Sequence, residues 1–189
     1  MADQRERLFI GVPLPAGLRG YVGAAQEAIP RKSGLRLLPE EQWHVTLAFL
    51  GEVDQGSGLA ARRIVEAIPS SMGGGAWLGG LLMLPSPAKA RVVAIAIDDD
   101  HQAFGDLYEV IMTSLETAEV MEREKRPFKP HLTVARLRTP GSVRPRSEIE
   151  RVRYPIESVC LYRSELRREG ATYTVLARRV FDLRKRSKG

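Results

Sequence analysis

One four-residue pattern, histidine, apolar residue, threonine, apolar residue, occurs twice in this chain, as His44-Val45-Thr46-Leu47 and His131-Leu132-Thr133-Val134. Residues two apart on a β-strand point to the same face, so each string presents an imidazole beside a hydroxyl. Val45, Leu47, Leu132 and Val134 then face the other way, into a core. The pattern therefore asks for two strands with one buried face each. Placed side by side, they would form a near-symmetric site with two acid/base groups and two hydroxyl donors.

Chance accounts poorly for the repeat. The chain has 3 histidines and 7 threonines in 189 residues, so Thr two places after two of the histidines has a random probability on the order of half a per cent. The flanks agree further. Trp43 to Leu50 and Pro130 to Leu137 also share Ala at the fourth place after His and Leu at the sixth. The two histidines lie 87 residues apart, close to half the chain, as two related lobes would place them.

With 43% hydrophobic and 28% charged residues and no apolar run of bilayer-spanning length, the composition is that of a globular protein rather than a membrane protein. The opening residues 1–7 carry both charge signs and lack the apolar core of a secretory signal, so a cytoplasmic location is expected. Cys160 is the single cysteine, which excludes an intrachain disulfide and a multi-cysteine metal site. The net charge of +6 favours a polyanionic partner. Part of that excess sits in the basic tail 184–189, expected to be solvated and disordered. Arg126, Lys129, Arg136 and Arg138 lie nearer the motifs and are better placed to meet phosphate.

Hydrophobic periodicity predicts strands at 7–13, 34–38, 43–50, 76–84, 91–97, 132–137, 158–166 and 172–183, and helices at 15–29, 59–68 and 101–118. The three aspartates 98–100 can cap the last of these helices, and Arg167 to Gly170 reads as a hairpin turn. The expected fold is α+β: one domain over residues 1–189, made of two packed lobes with mostly antiparallel sheet and one motif each. A monomer is expected.

Histidine is the side chain whose ordinary pKa lets it give or take a proton near neutrality. In displacement at phosphorus, nucleophile and leaving group lie in line on opposite sides. One neutral histidine can then deprotonate water while a protonated one protonates the departing oxygen. Thr46 and Thr133 would hold the non-bridging phosphoryl oxygens. Such a mechanism requires no metal or other cofactor. The competing readings, core histidines or a metal site, are weakened by the duplication and by the absence of Asp, Glu or Cys at ligand spacing. His101 matches no motif and reads as a surface or capping residue. Trp43 and Phe49 have core parity relative to His44 and are assigned mainly to packing, with Phe128 and Tyr162 as looser candidates for stacking a base.

Taken over nearly the whole chain, the segments 7–15, 44–53, 85–93, 126–136 and 161–166 resemble the two-histidine (2H) phosphoesterase superfamily. The likeness is to its RNA 2′,3′-cyclic phosphodiesterases, also called 2′-5′ RNA ligases. The resemblance implies a bilobal fold of two antiparallel sheets flanked by helices, with the site in the cleft between lobes. It implies hydrolysis of an RNA terminal 2′,3′-cyclic phosphate to a 2′-phosphate, and the joining of tRNA halves through a 2′-5′ linkage in the reverse sense. It further implies His44 as proton donor to the leaving oxygen, His131 as the base that activates water, and Thr46, Thr133 and Arg136 as phosphate ligands. Ideal pleating puts Arg136 on the opposite face from His131, so a bulge or twist must re-aim it. Two other readings stay open: a phosphodiesterase for a small cyclic nucleotide or ADP-ribose cyclic phosphate, and a non-catalytic RNA- or nucleotide-binding module.

Overall fold

The alternation of apolar and polar residues that marks the strands is realised as an entirely antiparallel sheet. The computed structural model describes residues 5–167 and 170–183. The tail 184–189 and the turn residues Arg168 and Glu169, both singled out in the sequence, lie outside the described residues. In chain order the elements are β1 (Glu6–Pro13), α1 (Arg19–Glu27), β2 (Leu35–Leu37), β3 (His44–Val53), α2 (Gln55–Ala67), β4 (Gly74–Leu84), β5 (Ala90–Asp98), α3 (Ala103–Thr117), β6 (His131–Gly141), β7 (Val152–Ile156), β8 (Ser158–Arg167) and β9 (Gly170–Val180).

The strands run in the order β7-β4-β5-β6-β3-β1-β8-β9, with β2 added to β6. Each lobe is a four-stranded set ending on its motif strand: β9-β8-β1-β3 in one, β7-β4-β5-β6 in the other. The two sets meet where β3 and β6 pair through one register position, Val45 opposite Leu132. Those are the apolar residues immediately after the two histidines. The motif strands are thus neighbours in the middle of the strand order, with the remaining strands of each lobe laid outward on either side of that pairing.

Apolar faces of both lobes bury into one continuous core that includes Ile10, Val45, Leu47, Ile95, Leu132 and Val134, covered by Val22, Val65, Phe104, Leu107 and Ile111 from the three helices. Helix starts obey local chemistry. Asp54 caps α2 by accepting from Ser57 N at 2.8 Å, which starts that helix four residues before its apolar periodicity becomes visible. Asp99 accepts from Phe104 N and Gly105 N at 3.1 and 2.9 Å, the capping role expected of the aspartate run. His101 lies in the exposed turn before α3. The edge strand β7 is absent from the expected elements; it is only five residues long and includes Pro155. Among the described residues no helix is long and apolar enough to cross a membrane.

Candidate active site

Both motif histidines begin their strands, and the chain just upstream fixes both rings in the same way. His44 Nδ1 lies 2.8 Å from the carbonyl of Gln42, and His131 Nδ1 lies 2.9 Å from the carbonyl of Lys129, in each case two residues back. A carbonyl can only accept, so Nδ1 of each neutral ring carries the hydrogen and Nε2 is left with a free lone pair. Those upstream segments are themselves anchored. The turn Glu40–Gln42 precedes β3, and Gln42 Nε2 donates across to Ala171 O at 2.7 Å. The segment before β6 is held by Phe128, stacked on Tyr108 at 4.3 Å, and by Arg123, which donates to both carboxylate oxygens of Glu109 at 2.7–2.8 Å.

Thr46 is exposed and Thr133 half-buried on the histidine faces, while Val45, Leu47, Leu132 and Val134 are buried as parity requires. Among the described residues, no protein group takes either threonine hydroxyl. Both are open to an incoming ligand.

The two strands then break their alternation at the same place. Against β1, Thr46 pairs with Gly11 and Ala48 with Ile10, so Leu47 is an extra residue. Against β5, Thr133 pairs with Ala94 and Ala135 with Val93, so Val134 is extra. Each is a one-residue β-bulge at the third place after histidine, and each inverts the parity of the residues beyond it. The shared alanines, Ala48 and Ala135, are both buried at these bulges. Arg136 consequently joins the face of His131 and Thr133, the re-aiming that the sequence required of it. The second bulge is clamped from α1: Gln26 Nε2 donates to Val134 O at 2.9 Å and to Leu38 O at 2.8 Å, and Leu38 N also donates to Val134 O at 2.9 Å.

The same inversion corrects the packing role expected for Phe49. Five residues after His44, it stands on the site face, 45% exposed, with the Arg7 guanidinium 4.8 Å from its ring centre. Trp43 is buried as expected, with Nε1 donating to Leu38 O at 3.1 Å. Tyr162 is buried rather than free to stack a base. It belongs to an aromatic bed under His44: Phe9 lies 4.7 Å from the imidazole centre, Tyr173 5.3 Å and Tyr162 6.0 Å. Sequence reasoning misses Phe9 and Tyr173 because only the β1-β3 and β8-β9 pairings bring them here. Gly11 is needed at this point, since a Cβ there would sit 2.9 Å from Val45 O and 3.3 Å from the His44 ring.

That bed sets the electrostatics. Burial among aromatic rings lowers the His44 pKa from 6.5 to about 4, only partly opposed by the hydrogen bond to Gln42; the positive charge of Arg136 and the neighbouring His131 lower it further. His44 is therefore neutral near pH 7 in the free protein. Among the described residues, no three His, Cys, Asp or Glu side chains gather to hold a metal ion.

A cleft of about 710 Å³ opens beside the motifs, bordered by Thr46, Phe49, Pro85, Phe128, Lys129 and His131. Its wall is largely aromatic and aliphatic, with cationic groups at the His131 end. It can take a planar apolar group next to an anion held at the histidines.

The chain is similar to known phosphoesterases in sequence and in fold. A family described as LigT-like phosphoesterase matches residues 12–72, the segment that carries His44 and Thr46. The RNA 2′,3′-cyclic phosphodiesterase of Thermus thermophilus is 31% identical over 94% of this chain and 90% of its own length. A solved structure from Thermus thermophilus superimposes with a TM-score of 0.72 at 28% identity, covering 93% of this chain and 97% of that one. Escherichia coli LigT, solved with 3′-AMP, shares the fold with a TM-score of 0.79 at 23% identity, covering 94% and 99% of the two chains.

Proposed function

This chain belongs to the LigT-like RNA 2′,3′-cyclic phosphodiesterases of the 2H superfamily, and on that premise we propose that it hydrolyses an RNA terminal 2′,3′-cyclic phosphate to a 2′-phosphomonoester. One observation carries the reading: two imidazoles on adjacent motif strands, each with Nδ1 held by the carbonyl two residues upstream and Nε2 free. In-line displacement needs one proton acceptor and one donor on opposite sides of phosphorus, and two such imidazoles fill both roles once one of them is protonated.

In the proposed sequence, Thr46, Thr133 and Arg136 hold the non-bridging oxygens. His131 Nε2 takes a proton as water attacks phosphorus. The bond from phosphorus to O3′ breaks, and His44 Nε2 delivers a proton to that oxygen. Because His44 is neutral in the free protein, this assignment requires it to take up a proton as the anion binds; the negative phosphate supplies the stabilisation that burial and Arg136 otherwise remove. The terminal base lies along the apolar cleft between Phe49 and Phe128. The reverse joining of tRNA halves through a 2′-5′ bond would use the same groups.

The test is product analysis on an RNA ending in a 2′,3′-cyclic phosphate, in metal-free buffer, resolving 2′- from 3′-phosphate. The 2′-phosphate is expected, with turnover lost in His44→Ala and in His131→Ala. Tight binding of the cyclic phosphate without turnover would instead establish a non-catalytic binding module.

A further inference from the structure

On the other side of Arg136 lies a second, polar cleft of about 670 Å³, formed where β2 pairs with β6 and lined by Ser33, Arg36, Gln42, Arg136, Arg138 and Thr139. Its electrostatics are unusual for a strand pair. Arg36 of β2 stands directly opposite Arg136 of β6, and Arg138 comes two residues later on the same exposed face. Like charges directly across a ladder repel. Among the described residues none of the three is in an ion pair or hydrogen-bonded to a carboxylate. Arg36 remains exposed, and its guanidinium packs so closely on Gly170 that it occupies the space a Cβ there would need. Among the described residues, three guanidinium groups are thus gathered without an ion-pair partner in a groove bordered by Arg136 and by Gln42, the residue whose carbonyl holds His44 Nδ1.

We propose that this groove binds the phosphodiester next to the reacting one, so that Arg36 and Arg138 make the protein prefer a polynucleotide end over a cyclic mononucleotide. The inference rests on the phosphodiesterase reading above and extends it to the substrate's length. Arg136 and Arg138 are separated by two strand residues, roughly 6.7 Å along β6, a distance comparable to one step of a nucleic-acid backbone. Guanidinium groups suit the geometry of phosphate oxygens and read no base, so the preference is for chain length rather than sequence. The two clefts divide the labour: the apolar one takes the terminal base, and the arginine groove takes the adjoining backbone.

The experiment compares kcat/KM for 2′,3′-cyclic AMP and for a pentanucleotide ending in a 2′,3′-cyclic phosphate, from 50 to 200 mM salt, in the wild type, Arg36→Gln and Arg138→Gln. For the pentanucleotide, each variant is expected to lose roughly 5- to 20-fold, mainly through KM, in line with a charge-assisted contact. The salt slope should fall by about 0.7 for each phosphate contact removed. For cyclic AMP both variants should stay within about twofold of wild type. Arg36→Gln should also raise the Tm by about 1–3 °C, because it relieves the cross-strand repulsion; this separates lost contact from lost folding. Equal losses on both substrates, or no loss on either, would overturn the groove proposal. A wild type that hydrolyses neither substrate would instead overturn the phosphodiesterase reading, and one that treats both substrates alike in rate and salt slope would leave that reading standing while removing the groove.

Discussion

Phe49 and Arg136 occupy the same place in the two halves of the molecule: each comes five residues after its motif histidine, and each is turned onto the site face by a one-residue bulge. The scaffold is nearly symmetric at this point, but the groups it presents are not. One half offers an exposed aromatic ring and the other a guanidinium, which suits a ligand with a base at one end and a phosphate at the other.

Removing Arg136 should therefore affect chemistry more than folding. Arg136→Ala is expected to lower kcat by about 10²- to 10³-fold, the cost of losing one preorganised group that stabilises developing charge. Arg136→Lys should recover only part of this, since it keeps the charge but not the two-pronged geometry. Phe49→Ala should instead raise KM, by a factor corresponding to about 1–3 kcal/mol of stacking, and leave the Tm nearly unchanged because the ring is exposed. Steady-state kinetics on one cyclic-phosphate oligonucleotide distinguishes the two patterns.

Gln26 should behave as a positioning residue for Arg136. Its amide donates to the bulge carbonyl of Val134 and to Leu38 O, and it is placed to touch no substrate. In Gln26→Leu both carbonyls lose that donor, which should cost about 1–3 kcal/mol of stability. The bulge should relax and kcat should fall, while Gln26→Glu, which cannot donate from an ionised carboxylate, should resemble Leu rather than wild type. A kcat unchanged in a folded Gln26→Leu protein would show that the bulge holds itself.

Stability should depend on pH through His44. Its folded-state pKa of about 4 lies below the 6.5 of an exposed imidazole. Between those values the unfolded chain binds a proton that the folded chain does not, so stability is complete above about pH 6.5 and is lost as pH falls toward 4. From this residue the loss by pH 4.5 is about 2 to 3 kcal/mol. Urea midpoints at pH 7.5 and 4.5 should show a loss that much smaller in His44→Gln, which has no proton to bind.

Proton uptake decides the division of roles between the histidines. Calorimetric binding of a 2′-phosphorylated nucleotide in buffers of different ionisation enthalpy should register close to one proton taken up at pH 7, and His44→Gln should abolish it. Uptake that persists in His44→Gln and is lost in His131→Gln would transfer the donor role from His44 to His131. Each histidine-to-alanine change should lower kcat by at least about 10²- to 10⁴-fold, and the double variant should lose less than the product of the two, because the pair works as a unit.

Gly11 tests how tightly the site is built. A methyl there would meet Val45 O at 2.9 Å and the His44 ring at 3.3 Å, on a strand paired along both edges. Gly11→Ala should cost about 1–3 kcal/mol of stability and reduce kcat by displacing the imidazole. A thermal melt and a rate measurement on the same preparation suffice.

The sequence by itself determined the two motif strands, their buried and open faces, most of the helices and strands, and the class of chemistry two such histidines can perform. These come from local rules: side-chain alternation in a strand, apolar periodicity in a helix, and the proton affinity of imidazole. Three things depended on tertiary structure. The bulges at Leu47 and Val134 exist only relative to a partner strand, so ideal alternation misplaced Phe49 and left Arg136 unexplained. The low pKa of His44 comes from Phe9, Tyr162 and Tyr173, which strand pairing brings in from positions distant in the chain. The arginine groove likewise arises because β2 is laid against β6, setting Arg36 opposite Arg136 across 100 residues of sequence. The duplicated motif is local information and can be read along the chain. The asymmetry that makes one histidine differ from the other is a property of neighbours, and only folding supplies them.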